Sequence, residues 1–388
     1  MCFGVTGGYV FERYGAPVTS LSAMLLALAG LTLTWSTLSS VQFYSSNVWL
    51  QCIYFFISGQ ACSFMYMCTM TSNINNFPSR HRGKLIGVLD GCFSAGTALI
   101  SLIYNVVFNT ENEMYTKGDY LKDFYLFLLI AFVIAGILGT MFLRIIPNDE
   151  QEEIDTRTLL SDSKKVEDIT GFNLLSNLDF HCIFWSTVFG ISLQLMFQNN
   201  LVTFLLSFGK EKHATLFTTA SPVAIVFGKF FAGFISDVVL QRAPRVSVLL
   251  FFSIIQSVLL LVFIFYLNND IILFIGMLVI ALSNGSIWCL IPIIISEYFG
   301  LKHFGVNWGS VLFSSAFGVL IMQKLFGFIY ESNIEVEGQT MCQGQVCYTV
   351  TFIVAFALSL VCVVLYSFLV KHKLEKNKEG VTLYEMKR

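Results

Sequence analysis

The sequence predicts an all-α, polytopic membrane protein of two pseudo-symmetric six-helix bundles, with the first helix missing and the second incomplete in this chain. Three observations predict it: an apolar composition, a series of long apolar stretches, and short motifs that recur at one offset. Of the 388 residues, 55% are hydrophobic and 12% are charged, whereas a soluble domain carries about 25% charged residues. This shortage of charge excludes an ordinary soluble enzyme and a disordered chain. The net charge of −2 provides no broad basic surface for a nucleic acid.

Long apolar stretches define the predicted membrane spans. A spanning helix needs about 20 predominantly apolar residues. A stub at 1–10 comes first and is too short to cross a bilayer alone. Ten stretches after it are long enough, at 17–37, 47–70, 84–108, 122–145, 178–203, 214–239, 245–267, 271–294, 305–329 and 348–371.

Lys and Arg are distributed unequally between the two sides of these spans. The connecting segments on one side hold seventeen of the 23, and those on the other side hold four. Cytoplasmic loops carry the excess of positive charge, so the rich side, which includes the C-terminus, is predicted to be cytoplasmic. We expect an N-terminal bundle at 1–145, a cytoplasmic acidic linker at 146–177, a C-terminal bundle at 178–371 and a cytoplasmic tail at 372–388.

Two short motifs recur at nearly the same offset, which indicates a duplication. The segments FPSRHRG (77–83) and FGLKHFG (299–305) share a base, a His and a Gly at equal spacing, 222 residues apart. A second motif is a glycine with an acid four residues later and an arginine beyond; its two copies, 225 residues apart, are Gly8, Glu12, Arg13 and Gly233, Asp237, Arg242. We therefore predict two bundles related by an axis along the membrane normal. The offset also predicts that about 45 residues, enough for one more helix, are missing before Met1.

Several stretches resemble the nodulin-like branch of the major facilitator superfamily. They are NFPSRHRGKLIG (76–87), QNN (198–200), GKFFAGFISD (228–237), SEYFGLKHFG (296–305), GFIYES (327–332) and CQGQVCY (342–348). The resemblance implies a substrate that is a small organic anion or another small metabolite, as in monocarboxylate and oxalate/formate-type carriers. Two positions depart from the branch pattern: the branch usually has Arg where Lys229 stands, and often Lys near Asp90.

The resemblance also assigns roles to the repeated motif and to one cysteine pair. In the superfamily such acids and nearby arginines, here Glu12 with Arg13 and Asp237 with Arg242 and Arg245, form charge pairs and helix-end contacts that stabilise the outward-open state. This implies coupling or gating roles for Gly8, Glu12, Arg13, Gly233, Asp237 and Arg242. The branch often has a pair like Cys342 and Cys347, which stand on the predicted non-cytoplasmic side, where a disulfide is permitted. We expect a bridge there; two free thiols are the alternative.

Charges inside spans are candidates for function, because a charged side chain at a helix centre costs about 2.5–3.5 kcal/mol on insertion scales. Lys229 is predicted to hold a substrate carboxylate; a buried structural ion pair and a neutral lysine are the alternatives. Asp90 either forms a cross-half pair with Lys229, carries a proton, or is a solvated charge near the membrane boundary. Lys324 either contacts substrate or extends to the membrane surface. Glu297, at a helix end, is predicted to act in gating, with a structural role or proton carriage as alternatives.

Uncharged amides in the spans complete the predicted substrate site. Such groups can bond a substrate from a cavity wall, or they can join helices at about 0.6 kcal/mol each. The candidates are Gln194, Gln198, Asn199, Asn200, Asn284 and Gln60. Four of them fall within seven residues, which favours a cavity wall for the 178–203 span.

These features predict a secondary-active transmembrane transporter that moves a small metabolite, such as a carboxylate, by alternating access. A channel-like pore and a transport-inactive receptor or interaction protein are the alternatives. We expect no enzyme activity, no cofactor and no metal, since the sequence shows no catalytic, metal-binding or phosphate-binding motif. The expected partners are a small-molecule substrate, with protons as one driving force, and the bilayer, with the chain as a monomer. The membrane is predicted to be the plasma membrane or a vacuolar or endosomal one.

Overall fold

The computed structural model describes residues 4–108, 117–146, 168–334 and 342–385. These residues are almost entirely helical and include ten helices that are long and apolar enough to cross a membrane. The all-α prediction and the number of spans are therefore confirmed. The long helices are α1 (Gly4–Ser39), α2 (Trp49–Asn76), α3 (Arg82–Ile103), α4 (Lys117–Phe142), α5 (Leu178–Asn199), α6 (Ala214–Val239), α7 (Val246–Tyr266), α8 (Asp270–Phe299), α9 (Phe304–Ser332) and α10 (Val346–Glu385).

The first helix joins two segments that the sequence separates. The predicted stub and the predicted span at 17–37 are both parts of α1, which bends at Gly15. Gly15 has φ 78°, a left-handed conformation that favours glycine. Pro17 follows two residues later, and proline is favoured in the first turn of a helix because its missing N–H would have no partner there. The segment is thus two helical pieces joined by a kink.

The last helix continues beyond its predicted end at residue 371. At the start of α5, the side chain of Asn177 accepts the N–H groups of Asp179 and Phe180 and so caps the helix. Oδ1 of Asp179 lies 2.7 Å from Nδ1 of His372, and its Oδ2 lies 3.1 Å from Nζ of Lys376. These two bases are four residues apart on one face of α10. Their contacts tie the end of the span to the start of α5, and the predicted tail at 372–388 is helical up to Glu385.

Internal contacts divide the chain into two compact units, each made of discontinuous segments. The first contains Met1–Asn76, Gly96–Asn148 and Gly300–Phe313, and the second contains Phe77–Ala95, Asp149–Phe299 and Ser314–Arg388. The predicted bundles at 1–145 and 178–371 are a division by sequence and stay a prediction. Residues 147–167, most of the predicted linker at 146–177, lie outside the described residues.

Small side chains hold the first unit together. One face of α1 is buried and carries Ala16, Ser20, Ala23, Ala27 and Gly30. Oγ of Ser20 donates to a main-chain oxygen of α4 at 3.1 Å, and Gly30 faces the backbone of α2 closely enough that a Cβ would lie 2.7 Å from a main-chain nitrogen. Helices in a bilayer associate through such small-residue contacts, because lipid supplies no hydrophobic driving force.

Aromatic side chains form the core of the second unit. Phe197 packs 5.2 Å from Phe204 and 5.6 Å from Phe263, measured between ring centroids, and all three are buried. Beside this cluster, Cys342 and Cys347 are joined by a disulfide just before and inside the first turn of α10. The expected cysteine bridge is therefore present in the structure.

Candidate functional site

Two charges inside predicted spans, Asp90 on α3 and Lys229 on α6, meet in the second unit. Nζ of Lys229 lies 2.7 Å from Oδ2 of Asp90. The ammonium also donates to the main-chain oxygen of Asp90 at 3.1 Å and to Oγ of Ser94 at 2.6 Å. The side chains of Lys229 and Asp90 are 5% and 2% exposed. The ion pair is buried, and three oxygens surround the three N–H groups of the ammonium.

Glycines on the neighbouring helices bring two backbones close to Lys229. On α3, Gly83, Gly87 and Gly91 recur every four residues on one face, and a Cβ at Gly87 would lie 3.0 Å from the main-chain oxygen of Lys229. On α8, a Cβ at Gly285 would lie 2.7 Å from its main-chain nitrogen. Because these glycines have no side chain, α3 and α8 pack closely against α6 at Lys229. This close packing leaves no room for larger groups beside the ion pair.

Lys229 pairs with Asp90, which belongs to the other half of the sequence although both lie in the second compact unit. This cross-half pair is one of the alternatives that the sequence left open. Asp90 and Ser94 contact the ammonium group of Lys229 in this structure, and its contact with a substrate carboxylate stays a prediction. Removal of one partner of a buried ion pair costs about 3–5 kcal/mol, because the remaining charge is uncompensated. The oxygens of Asp90 and Ser94 thus satisfy the ammonium of Lys229 within the protein.

A second charged cluster lies where α3 begins. The carboxylate of Asp237 accepts the N–H groups of Gly83 and Lys84, each at 2.9 Å. Nη1 of Arg245 lies 2.6 Å from Asp237, and its Nε lies 2.7 Å from Oε1 of Glu297. The first N–H groups of a helix have no partner within the helix. Asp237 therefore caps α3, and Arg245 connects this cap to Glu297 at the end of α8.

Arg245 is fully enclosed at the centre of this cluster. Its side chain is 0% exposed, and it also donates to the main-chain oxygen of Ser79 and to Oγ of Ser236, each at 2.7 Å. Burial opposes the charged form, but Glu297 and Asp237 outweigh it and raise the pKa of Arg245. The guanidinium thus stays charged and fixes three segments of the chain to one another.

The first unit contains a related contact at the start of α9. Oε1 of Glu12 accepts the N–H of Val306 at 3.1 Å, and its Oε2 lies 3.0 Å from Nδ1 of His303. Gly8 stands one turn earlier on the same helix, where a Cβ would lie 2.3 Å from the main-chain oxygen of Gly305. The motif glycine permits the close approach, and the motif acid caps the helix that approaches.

The arginines of the repeated motif do not pair with its acids. Nη1 of Arg13 donates to Oη of Tyr9 at 3.0 Å, and Arg242 is exposed beyond the end of α6. Two of the charge pairs that the resemblance implied, Glu12 with Arg13 and Asp237 with Arg242, are therefore corrected, whereas the third, Asp237 with Arg245, is present. Neighbouring residues on a helix point in different directions, so Arg13 does not reach the acid before it. The basic partners of the acids are His303 and Arg245 instead.

Two of the predicted substrate amides bond to other side chains within the second unit. Nε2 of Gln194 donates to Oε1 of Gln256 on α7 at 2.7 Å. Nδ2 of Asn200 donates to Oε1 of Gln323 on α9 at 3.1 Å, and the reverse bond has the same length. These pairs join helices, and Gln194 and Gln256 also line a small cavity within the second unit; the contact of Gln194 and Asn200 with substrate stays a prediction.

The remaining candidates differ in how exposed they are. Asn284 is buried beside Gly285, whereas Gln198 is half-buried. Lys324 and Asn199 are exposed, and Gln60 is half-buried in the first unit. Among the described contacts of Lys229, none is to a predicted substrate amide.

Sequence reasoning missed the residues that complete these contacts. Ser94 was not a candidate, although it follows Asp90 by four residues and therefore shares its helix face. The four-residue spacing of the glycines before Asp90 is a helix-packing signal that was also available. The partners Gln256 and Gln323 belong to none of the motifs or amide clusters in the sequence, so only the contacts distinguish them.

Comparisons with known proteins agree with this architecture. The Major Facilitator Superfamily profile matches residues 1–322 and 187–385. "Probable transporter MCH1" of Yarrowia lipolytica is 28% identical over 174 residues, which are 41% of this chain and 35% of that protein. "Probable transporter mch1" of Neurospora crassa is 23% identical over 394 residues, which are 76% of this chain and 66% of that protein. The chain thus spans between about a third and two thirds of these two relatives.

Solved structures share the fold at low sequence identity. The E. coli fucose:proton symporter FucP is 14% identical with a TM-score of 0.61, covering 94% of this chain and 87% of that one. The proton:xylose symporter XylE, bound to 6-bromo-6-deoxy-D-glucose, is 13% identical with a TM-score of 0.68, covering 92% and 82%. With a family profile matching nearly the whole chain, this multi-pass membrane protein belongs to the Major Facilitator Superfamily.

Proposed function

We propose that the chain is a secondary-active transporter, not an enzyme, that moves a small organic anion such as a carboxylate by alternating access. The observation that carries the proposal is the buried ion pair between Lys229 and Asp90. Charges inside membrane spans are costly and mark substrate or ion pathways. The printed names of the relatives, which are probable transporters, support the same class. We place the chain in the nodulin-like branch on the motifs described above.

The ion pair between Asp90 and Lys229 stabilises one conformation of the transporter. Substrate binding and protonation of Asp90 together break the pair. The pair is neutral as it stands, so a carboxylate that takes the place of Asp90 at Lys229 would leave one uncompensated negative charge. Protonation of Asp90 removes that charge. A buried carboxyl that has lost its cation favours the neutral form, because desolvation penalises the ionised one. The expected stoichiometry is therefore one proton for each monovalent anion, with Asp90 as the proton carrier.

The two helix-end clusters act as gates on the predicted cytoplasmic side. In the second unit Asp237 and Arg245 hold the start of α3 and the end of α8. In the first unit Glu12 and His303 hold the start of α9. We propose that opening to the cytoplasm breaks these contacts. Gly8, Glu12, Gly233, Asp237 and Glu297 keep their proposed gating roles, and Arg13 and Arg242 anchor the same ends by positive charge.

Two amides with spare hydrogen-bonding groups are the best candidates for substrate contact besides Lys229. Nδ2 of Asn284 and Nε2 of Gln198 are buried without a hydrogen-bond acceptor among the described residues. A donor of this kind can bond a carboxylate oxygen when a substrate is present. Lys324, Asn199 and Gln60 stay predictions, as do a monomeric state and a plasma, vacuolar or endosomal membrane.

The proposal is tested by uptake into proteoliposomes that contain the purified chain and an internal pH-sensitive dye. Labelled acetate, lactate and oxalate are the probes. Wild-type protein is expected to accumulate one of them under an inward proton gradient, with internal acidification. Lys229→Ala should abolish uptake, whereas Asp90→Asn should retain exchange of internal and external anion but lose proton-driven accumulation.

Lys212→Gln is the matched control, since it removes one exposed lysine far in sequence from the pair. Its uptake should equal that of wild type. Normal uptake by the Lys229→Ala protein would contradict the site, and unitary currents in place of saturable exchange would contradict the carrier.

A further inference from the structure

A basic groove lies beside the cluster of Asp237, Arg245 and Glu297, and Asp237 forms part of its wall. Its volume is about 360 Å³. The lining includes three bases, Arg80, His81 and Lys84, which come from the turn before α3 and from its first residues. Val238 and Gln241, at the end of α6, form the opposite wall.

The positive charge of the groove is not cancelled by the acid in its wall. Asp237 also lines the groove, but its carboxylate already accepts two main-chain N–H groups and pairs with the buried Arg245. Arg80, His81 and Lys84 are exposed. The groove therefore presents at least two full positive charges to a ligand, which suits a phosphate group.

An apolar track leads away from the groove along one face of α6. Its members follow helical spacing and are each more than half exposed: Phe227 at 53%, Phe231 at 56%, Phe234 at 56% and Val238 at 56%. Nζ of Lys84 lies 5.0 Å from the ring centroid of Phe234, at the junction of track and groove. One surface thus combines a cationic head site with an apolar strip of three helical turns.

The groove also lies at the depth of lipid headgroups. The apolar span that contains α6 ends at Val239, and the groove residues of α6 stand at that end. On the predicted topology this is the cytoplasmic side, where the membrane leaflet carries the anionic lipids. A soluble phosphate would use the bases alone, whereas a phospholipid also uses the track.

We propose that this groove is a binding site for an anionic phospholipid of the surrounding membrane. Arg80 and Lys84 bind its phosphate, and His81 and Gln241 contact the rest of the headgroup. One acyl chain lies along the track from Val238 towards Phe227. The site is distinct from the Lys229 pair and does not depend on the transport proposal.

Native mass spectrometry of the full chain in detergent, titrated with dioleoylphosphatidylserine or dioleoylphosphatidylcholine, tests the site. The variant is the double substitution Arg80→Gln with Lys84→Gln, and the control is Lys212→Gln with Lys371→Gln, which removes the same charge from exposed positions. Membrane-surface bases contribute about 1 kcal/mol each, so the groove variant should bind the first phosphatidylserine about thirty-fold more weakly. The control should bind it as wild type does, and phosphatidylcholine, whose choline cation offsets its phosphate, should lose less affinity than phosphatidylserine in the groove variant.

Two further arms separate lipid from free phosphate. Val238→Asn, which interrupts the apolar track, should weaken phosphatidylserine binding and leave the thermal shift caused by inorganic phosphate unchanged. Equal phosphatidylserine binding by wild type and the groove variant would overturn the proposal. The proposal would also be overturned if inorganic phosphate stabilised the protein and, at the same concentration as phosphatidylserine, prevented that lipid from binding. Equal melting temperatures of wild type and variants show that the substitutions leave the fold intact.

Discussion

Glu12 and Asp237 stand 225 residues apart and make equivalent contacts. Each accepts a main-chain N–H in the first turn of a long helix, Glu12 from Val306 and Asp237 from Gly83 and Lys84. By sequence the exchange is reciprocal, because Glu12 caps the helix that begins at the end of FGLKHFG (299–305) and Asp237 caps the helix that begins at the end of FPSRHRG (77–83). The side chains that accompany the two acids differ: His303 contacts Glu12, and Arg245 pairs with Asp237.

The buried ion pair predicts a strong dependence of stability on both partners. Lys229→Met and Asp90→Leu should each lower the free energy of unfolding by about 3–5 kcal/mol, because each leaves one buried charge without a partner. The double variant should be closer to wild type than either single variant, since two apolar groups replace two charges. Thermal unfolding in detergent, followed by intrinsic fluorescence, measures all three.

The exposed Lys212→Met is the control for loss of a lysine and should leave the melting temperature within about 1–2 °C, since surface substitutions usually fall within 0.5 kcal/mol. If the double variant lost more unfolding free energy than the two single variants lose together, the result would contradict the pairing of Asp90 with Lys229.

The close approach of Gly83 to Gly233 predicts that α3 tolerates no side chain at position 83. A Cβ there would lie 2.3 Å from the main-chain oxygen of Gly233, so Gly83→Ala should destabilise the protein by about 1–3 kcal/mol through overpacking. Gly96 is on the same helix, and a Cβ at that position would meet no atom within 4 Å. Gly96→Ala should therefore be neutral or stabilising by up to about 1 kcal/mol. The opposite order of melting temperatures would refute this helix packing.

The Arg245 cluster should be insensitive to pH across the neutral range. Its neighbours raise the pKa of Arg245 above a value that is already far above neutral. A raised pKa of a cation contributes stability below the unfolded-state pKa, and this contribution is lost only at higher pH. Arg245→Gln should therefore lower the melting temperature by the same amount at pH 6 and at pH 8.

Arg245→Lys is the matched variant for that experiment. It keeps the charge but loses the fork that reaches Asp237 and Glu297 together, so its stability should lie between those of wild type and Arg245→Gln. A loss on Arg245→Gln that differs by several degrees between the two pH values would show that another group titrates in the cluster.

The disulfide between Cys342 and Cys347 should contribute modestly to stability. It joins residues five positions apart, and closure of so short a loop removes about 2 kcal/mol of unfolded-state entropy on the chain-entropy estimate. Replacing both cysteines with serine should lower the melting temperature by a few degrees. Mass spectrometry of peptides prepared without reductant should detect the bridged pair in wild type, and free thiols at both positions would contradict it.

Hydropathy and charge distribution were sufficient to predict ten spans and an all-α fold, because a bilayer requires each spanning segment to satisfy its own backbone. The repeated motifs were also readable, since a duplication leaves equal spacing in the chain. Lys229 and Asp90 could be singled out individually, because a charge within an apolar run is conspicuous wherever its partner lies.

The choice of partners was decided only by the tertiary structure. A sequence shows that Asp237 has arginines nearby, but not that Arg245 reaches it while Arg242 is exposed. The sequence places Gln194 among candidate cavity residues, but only the structure shows that its amide bonds to Gln256 on another helix. Pairings of this kind depend on how each helix is rotated and how closely its neighbours approach. Those quantities are set by contacts between residues far apart in the chain, which a local pattern does not contain.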